Sequence, residues 1–294
     1  MNAVEMNTQV LISAQELADS LAGESGPLVV DCRYTLADPE QGWRAFVNAH
    51  LPGAVYCHLD RDLADLSRAH SGYGRHPLPD ASVFMQRLLD WGWRPGRLLV
   101  AYDAAGGAVA AARLWWMMRL LGQPAQVLDG GWQAWQTPVE SGPVSLPDPL
   151  PAMVAGRSDA HFEERALPGS EHVPSILEQG GLLLDARAAE RFRGDIEPID
   201  RVAGHVPGAQ NRPYPCNLDE QGLFKPATVL RQEFAALLGA HPAGQVVHMC
   251  GSGVTACHNL LAMEHAGMGG SRVYVASWSG WSSDPQQPVV RGEA

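Results

Sequence analysis

The sequence predicts an α/β protein in which one domain fold occurs twice, each copy with a mostly parallel β-sheet flanked by helices. Short strand-like runs alternate along the chain with longer helix-like runs, which is typical of α/β folds. The strand-like runs at 98–102 and 245–249 are almost entirely apolar, as expected for central strands covered on both faces. In addition, four segments of the first half recur in the second half.

The recurring segments keep their order and their spacing. The pairs are LVVDCR at 28–33 with LLLDAR at 182–187, AHLPGA at 49–54 with GHVPGA at 204–209, the stretches 98–116 with 246–263, and VLDGGWQAW at 127–135 with VYVASWSGW at 273–281. The period is about 150 residues, the size of a domain, so the sequence indicates a duplicated domain and not a solenoid.

A proline-rich stretch separates the two copies. Five prolines lie within residues 138–151, a composition typical of an extended and stiff linker. We therefore expect an N-terminal domain over 1–140, a linker over 141–158 and a C-terminal domain over 159–294.

Several helices can be predicted from their ends and their apolar pattern. Ser13 and Glu16 form a capping-box pattern that starts a helix. Further helices are expected within 82–93, 108–122, 227–239 and 253–267. The last two runs end at Gly239 and Gly267, where a glycine can terminate a helix in the left-handed conformation.

Composition narrows the classes of function. With 294 residues, 46% of them hydrophobic and 18% charged, the chain is long and apolar enough to fold around a core. Its net charge of −11 argues against nonspecific binding to nucleic acid or to an anionic membrane. We expect no transmembrane helix, because no run of 18 apolar residues occurs. We also expect no signal peptide, because the start MNAVEMNTQV has neither a positive n-region nor an apolar h-region. Five scattered cysteines, an odd number, favour a reducing cytoplasm over a disulfide framework.

The stretch HMCGSGVTACHNLL, residues 248–261, places Cys250 between a strand pattern and a helix pattern. Gly251, Ser252 and Gly253 are small enough to let successive backbone N–H groups turn inward and bind an anion. The N-terminus of the following helix adds a favourable dipole at the same point. Both effects favour the thiolate, the nucleophilic form of cysteine, so Cys250 is the predicted nucleophile.

Three chemistries compete for such a cysteine. A Cys-x5-Arg phosphatase loop would need arginine at position 256, which is alanine. A zinc site would need ligand spacings that Cys250, Cys257, His258 and His265 do not have. Sulfur transfer needs a thiolate and hydrogen-bond donors that stabilise a persulfide. The Cys250 loop is expected to supply both. We expect no metal and no cofactor.

The chain resembles, nearly end to end, the tandem-domain sulfurtransferases of the rhodanese superfamily. CGSGVT at 250–255 is similar to the active-site loop of the 3-mercaptopyruvate sulfurtransferases, whereas thiosulfate-using rhodaneses carry basic residues there, as in Cys-Arg-Lys-Gly-Val-Thr. DAR…RFRG…EP at 185–198, GHVPGA and SWSGW support the resemblance. It implies that Cys250 takes sulfur from 3-mercaptopyruvate as a persulfide, releases pyruvate, and passes the sulfur to cyanide or to a thiol such as thioredoxin.

The resemblance also implies roles for other residues. Arg191 lies at the position that binds the donor carboxylate, and Arg201 is the nearest candidate for a second arginine. Gly251, Gly253, Val254 and Thr255 complete the substrate-binding loop. Ser252 is expected to act in acid–base chemistry with His76, in GRHPLP, and Asp60, in HLDRD.

Asp103 stands in the first copy where Cys250 stands in the second. Because aspartate cannot carry a persulfide, the first domain is expected to be catalytically inactive. Two alternatives remain open: a thiosulfate:cyanide sulfurtransferase, and a persulfide carrier that delivers sulfur to a partner protein without turnover.

Overall fold

The computed structural model of the protein describes residues 9–23, 26–69, 72–144 and 160–293. The chain forms two compact units. The first unit comprises Met1–Leu63 and Pro79–Phe162, and the second comprises Ala64–Leu78 and Glu163–Ala294. Most of the expected linker, from 145 onward, lies outside the described residues. Segment 64–78, which the sequence repeat assigns to the first copy, groups with the second unit.

The first unit contains a five-stranded sheet in which every pairing is parallel. The strands are β1 (Leu11–Ile12), β2 (Leu28–Asp31), β3 (Val55–Tyr56), β4 (Leu99–Tyr102) and β5 (Ala125–Leu128), in the order β1-β5-β4-β2-β3. The helices are α1 (Ala14–Leu21), α2 (Gln41–Asn48), α3 (Leu59–Asp62), α4 (Ala81–Asp90), α5 (Ala111–Leu120) and α6 (Gly131–Ala134).

The second unit repeats this arrangement with four parallel strands. They are β6 (Leu182–Asp185), β7 (Gln210–Asn211), β8 (Val246–Met249) and β9 (Arg272–Val273), in the order β7-β6-β8-β9. Its helices are α7 (Val173–Glu178), α8 (Ala189–Arg193), α9 (Ala227–Leu238), α10 (Ala256–His265) and α11 (Ser277–Trp281).

Each sheet packs into an apolar core of its own. The central strands β2, β4, β6 and β8 are buried at every position. For β4 and β8 this burial is the one predicted from their almost entirely apolar sequences. The first core includes Val29, Phe46, Val100, Tyr102 and Leu128. The second includes Leu183, Phe192, Val247, Met249, Tyr274, Trp278 and Trp281.

The expected fold class and helices are confirmed, with ends that differ by a few residues. The capping box at Ser13 and Glu16 forms as predicted. The run 253–267 becomes helical only at Ala256, because Gly253 has a φ of +74° and the chain is still turning there. Gly239 and Gly267 both take positive φ values at helix ends.

The repeat extends to matching buried contacts. Asp31 pairs with Arg33 after β2, and Asp185 pairs with Arg187 after β6. These arginines also lie over Trp132 and Trp278, at 4.2 and 4.7 Å from the ring centroids. Arg187 is therefore structural, because its guanidinium fixes the strand end within the core.

His50 and His205 show the same correspondence. Nδ1 of each histidine lies 2.8 Å from the carbonyl oxygen of a phenylalanine, Phe46 or Phe192, and each imidazole stacks on that phenylalanine ring. No helix within the described part of the chain is both long and apolar enough to cross a membrane.

Candidate active site

Cys250 lies directly after β8, at the carboxyl end of a central strand, and its side chain is buried (2% exposed). Such strand ends are the usual location of sites in parallel sheets. The backbone N–H of Cys250 donates to Oγ of Ser277 at 3.1 Å, and its carbonyl accepts from the N–H of Trp278 at 3.0 Å. The carbonyl of Gly251 accepts from the N–H of Ser279 at 2.9 Å. Helix α11 therefore fixes the start of the loop.

Gly253 is required by the path of the loop. Its φ is +74°, and a Cβ atom at this position would lie 2.4 Å from the carbonyl oxygen of Val275. A larger residue would thus meet both an unfavourable conformation and a backbone clash.

The loop leaves backbone donors available. Within the described residues, the N–H groups of Gly251, Ser252, Val254 and Thr255 make no hydrogen bond. Together with the N-terminus of α10 they form a set of donors suited to an anion, as the sequence predicts. Val254 is buried, and Thr255 is half-buried at the start of α10.

The corresponding loop of the first unit is already occupied. The carboxylate of Asp103 accepts hydrogen bonds from five backbone N–H groups at 2.8–3.2 Å, those of Ala105, Gly107, Val109, Ala110 and Ala111. The anion held by this loop is therefore a side chain of the protein itself.

Two guanidinium groups lie beside the Cys250 loop. A Cβ atom on Gly251 would be 3.2 Å from Nη2 of Arg75, and 3.6 and 3.7 Å from Nη1 and Nη2 of Arg191. Arg191, for which the family resemblance implies carboxylate binding, lies beside the loop, and its role stays a prediction. Arg75 was not predicted as a site residue. Its position directly before the expected site residue His76, in GRHPLP, was the sequence feature that could have indicated it.

Carboxylates hold both arginines from one side. Asp200 accepts from Nη1 of Arg75 at 2.7 Å and from Nη2 of Arg191 at 3.2 Å. Glu197 accepts from Nε and Nη2 of Arg191, with a shortest distance of 2.8 Å. Among the described residues, Nη2 of Arg75 and Nη1 of Arg191 have no hydrogen-bond partner and lie next to Gly251, so they are available to a bound anion.

The pKa of Glu197 lies below its usual value. Burial alone would raise it, but hydrogen bonds from Arg191 and from the N–H groups of Asp200 and Ile199 outweigh this effect. Glu197 therefore stays ionised and keeps the guanidinium of Arg191 in place.

Ser252 and His76 are in contact. Oγ of Ser252 lies 2.7 Å from Nδ1 of His76, and both side chains are buried. His248 lies on β8 two residues before Cys250, and burial lowers its pKa to about 3, so it remains a neutral core residue.

Segment 72–76 presents Arg75 and His76 to the loop because it packs against α11. The N–H of Arg75 donates to Oγ of Ser279 at 2.9 Å. Gly74 has a φ of +84°, and a Cβ atom there would lie 2.4 Å from the carbonyl oxygen of Ala276. On α11, a Cβ atom on Gly280 would lie 2.8 Å from the carbonyl oxygen of Gly72. These close approaches explain why Gly74 and Gly280 are glycines.

Asp60 and Arg201 are the remaining predicted site residues. Asp60 belongs to the first unit, where its carboxylate accepts from the hydroxyl of Tyr34 at 2.9 Å. Arg201 is exposed to solvent, and the described contacts of the loop are made by Arg75 and Arg191. The roles expected for Asp60 and Arg201 stay predictions.

Two parallel-sheet units, one with a cysteine loop at a strand end and one without, define a tandem sulfurtransferase-like architecture. The chain belongs to the family of rhodanese-like domain proteins: the family model matches residues 13–138 and 170–284.

Relatives match the chain over nearly its whole length. It is 44% identical to a Pseudomonas aeruginosa protein named as a probable 3-mercaptopyruvate sulfurtransferase, over 98% of this chain and 100% of that protein. It is 38% identical to a Mycobacterium tuberculosis protein named "Putative thiosulfate sulfurtransferase SseB", over 97% of this chain and 98% of that protein. The structure of 3-mercaptopyruvate sulfurtransferase from Leishmania major matches with a TM-score of 0.81 and 31% identity, over 95% of this chain and 76% of that one.

Proposed function

We propose that this protein is a 3-mercaptopyruvate sulfurtransferase that uses Cys250 as its nucleophile. The Cys250 thiolate attacks the sulfur of the donor, the carbon–sulfur bond breaks, and its electron pair remains on the pyruvate enolate. A proton then converts the enolate to pyruvate, and Cys250 is left as a persulfide. An acceptor thiolate or cyanide attacks the outer sulfur and releases the Cys250 thiolate, so no external oxidant or reductant is needed.

The observation that carries this proposal is the pair of guanidinium groups beside Gly251. Nη2 of Arg75 and Nη1 of Arg191 face the residue next to the nucleophile and are not used by the carboxylates behind them. Two guanidinium donors suit a carboxylate, and 3-mercaptopyruvate carries a carboxylate close to its sulfur. Binding that group there would hold the sulfur near Cys250.

Ser252 and His76 supply the acid–base chemistry in this proposal. Their hydrogen bond lies one residue beyond the arginine site, where the donor carbonyl would be located. A hydroxyl backed by an imidazole can stabilise the developing enolate oxygen and deliver a proton. Asp60 remains a proposed third member.

In this proposal, the backbone N–H groups of the loop stabilise the persulfide by hydrogen bonds. Gly251, Ser252, Val254 and Thr255 offer donors to a sulfur anion extending from Cys250. In the first unit Asp103 occupies its own loop, which supports the proposal that this domain is catalytically inactive.

A thiol such as thioredoxin, or cyanide, is the proposed sulfur acceptor. All five cysteines lie in the described part of the chain, and none of them forms a disulfide there. This agrees with the proposal of a reducing, cytoplasmic location, where acceptor thiols are abundant.

A comparison of donors tests the proposal. With one acceptor throughout, kcat/KM for 3-mercaptopyruvate should exceed that for thiosulfate by at least about 100-fold, a difference of about 2.7 kcal/mol in transition-state stabilisation. Cys250→Ser should abolish turnover of both donors, while Cys216→Ser, at an exposed thiol, serves as the matched control with unchanged rates.

Two outcomes would overturn the proposal in favour of its alternatives. A preference for thiosulfate would identify the second candidate, which the 38% identity to SseB of M. tuberculosis favours. A persulfide at Cys250 with negligible turnover of either small donor would identify a sulfur carrier.

A further inference from the structure

The charges around the Cys250 loop are balanced. Three arginines and three carboxylates form one arginine–carboxylate cluster in the second unit: Arg75, Arg187, Arg191, Asp185, Glu197 and Asp200. Because each guanidinium is matched by one carboxylate, the cluster has no net formal charge. The site thus offers oriented donors to an anion without a large excess of positive charge.

Asp200 has a special place in this cluster. It is the carboxylate that contacts both guanidinium groups beside Gly251, at 2.7 Å from Arg75 and 3.2 Å from Arg191. Its side chain is only 7% exposed, so water screens its charge poorly. The negative charge of Asp200 therefore repels an anion that binds to the remaining N–H groups of these two arginines beside Gly251.

We propose that Asp200 is a specificity-determining residue that selects donors with one negative charge over donors with two. 3-Mercaptopyruvate with a protonated thiol carries one negative charge, whereas thiosulfate carries two. Both would meet the same guanidinium donors, but the second negative charge of thiosulfate adds repulsion from the Asp200 carboxylate. This inference rests on the proposed function for its choice of donors.

The variant Asp200→Asn tests the inference because it keeps the side-chain shape and removes the charge. We expect the ratio of kcat/KM for thiosulfate to kcat/KM for 3-mercaptopyruvate to rise at least about tenfold. Asp195→Asn is the matched control. It removes the same charge from a nearby carboxylate that is 53% exposed and pairs with Arg193, and solvent screening should leave the ratio unchanged.

A purely positional role would give a different result. If Asp200 only holds Arg75 and Arg191 in place, Asp200→Asn lowers kcat/KM for both donors by similar factors, the ratio stays constant, and the inference is wrong. Asp200→Glu, which keeps the charge, should retain the wild-type ratio even if both rates fall. If Asp200→Asn does not fold, Asp200→Ser provides the neutral variant for the same comparison.

A second measurement needs no sulfur donor. Cys250 is alkylated with iodoacetate, an anion, and with iodoacetamide, its neutral analogue of similar size. Asp200→Asn should raise the iodoacetate-to-iodoacetamide rate ratio several-fold, whereas an unchanged ratio would contradict the role of Asp200. This result stands even if 3-mercaptopyruvate proves not to be the donor, so failure of the proposed function and failure of this inference can be told apart.

Discussion

Among single residues, Ser252 connects the nucleophile loop to His76. Its hydroxyl occupies the position where a charged side chain would enlarge the positive field of the loop, and it bonds to a buried imidazole at 2.7 Å. The pair can exchange a proton with the substrate, whereas carboxylate binding is proposed for Arg75 and Arg191 beside Gly251.

Ser252→Ala should therefore lower kcat for 3-mercaptopyruvate by about 100-fold while changing KM little. His76→Gln should cause a similar loss, and the double variant should be no slower than the slower single variant, because the two residues act as a unit. Steady-state kinetics of the three variants measures this, with alkylation of Cys250 by iodoacetamide as the control for an intact loop. Additive losses, or an effect confined to KM, would contradict the assignment.

At the residue scale, the sequence allowed predictions where the signal was local. Cys250, Gly251 and Gly253 lie in one short motif, and Arg191 follows a recognisable strand end. Arg75 and Asp200 were not predicted, because their ion pair spans 125 residues and exists only once segment 72–76 packs on α11. No pattern in either segment alone indicates this contact.

Among the secondary-structure elements, the turn between β8 and α10 determines where the nucleophile lies. Gly253 has a φ of +74° and abuts the backbone of Val275. Gly222 has a similar φ of +80°, but a Cβ atom added there would have no neighbouring atom within 4 Å. Comparing substitutions at the two glycines therefore separates the cost of a positive φ from the cost of a steric clash.

Gly253→Ala should reduce the free energy of unfolding by about 2 kcal/mol more than Gly222→Ala, because only the first adds an overpacked contact to the cost of a positive φ. Chemical denaturation of both variants measures the difference. Equal losses at the two positions would mean that the loop relaxes away from Val275 and is less constrained than its geometry implies.

The longer elements were predictable and the shortest were not. Helices α4, α5, α9 and α10 and strands β4 and β8 have enough residues to show an apolar pattern. Strands β3, β7 and β9 have two residues each, too few for any periodicity. Helix α11 begins at Ser277 with a φ of +51°, a conformation set by its hydrogen bonds to Cys250 and Tyr274 rather than by local preference.

In the molecule as a whole, duplication produced two similar frameworks with different loops. The Asp–Arg pair after a central strand and the stacked His–Phe pair occur in both units. The loop that follows β4 holds the carboxylate of Asp103, while the loop that follows β8 holds Cys250 and leaves its N–H groups open. The repeat made the fold predictable, but it could not indicate that segment 64–78 groups with the second unit.

Sulfur transfer through Cys250 is best tested by the mass of the protein after brief treatment with 3-mercaptopyruvate and removal of the excess donor. We expect the gain of one sulfur atom per chain, located by peptide mapping on Cys250, with release of one equivalent of pyruvate and no gain in Cys250→Ser. The absence of this sulfur, or its location on Cys32, Cys57, Cys216 or Cys257, would contradict the proposed role of Cys250.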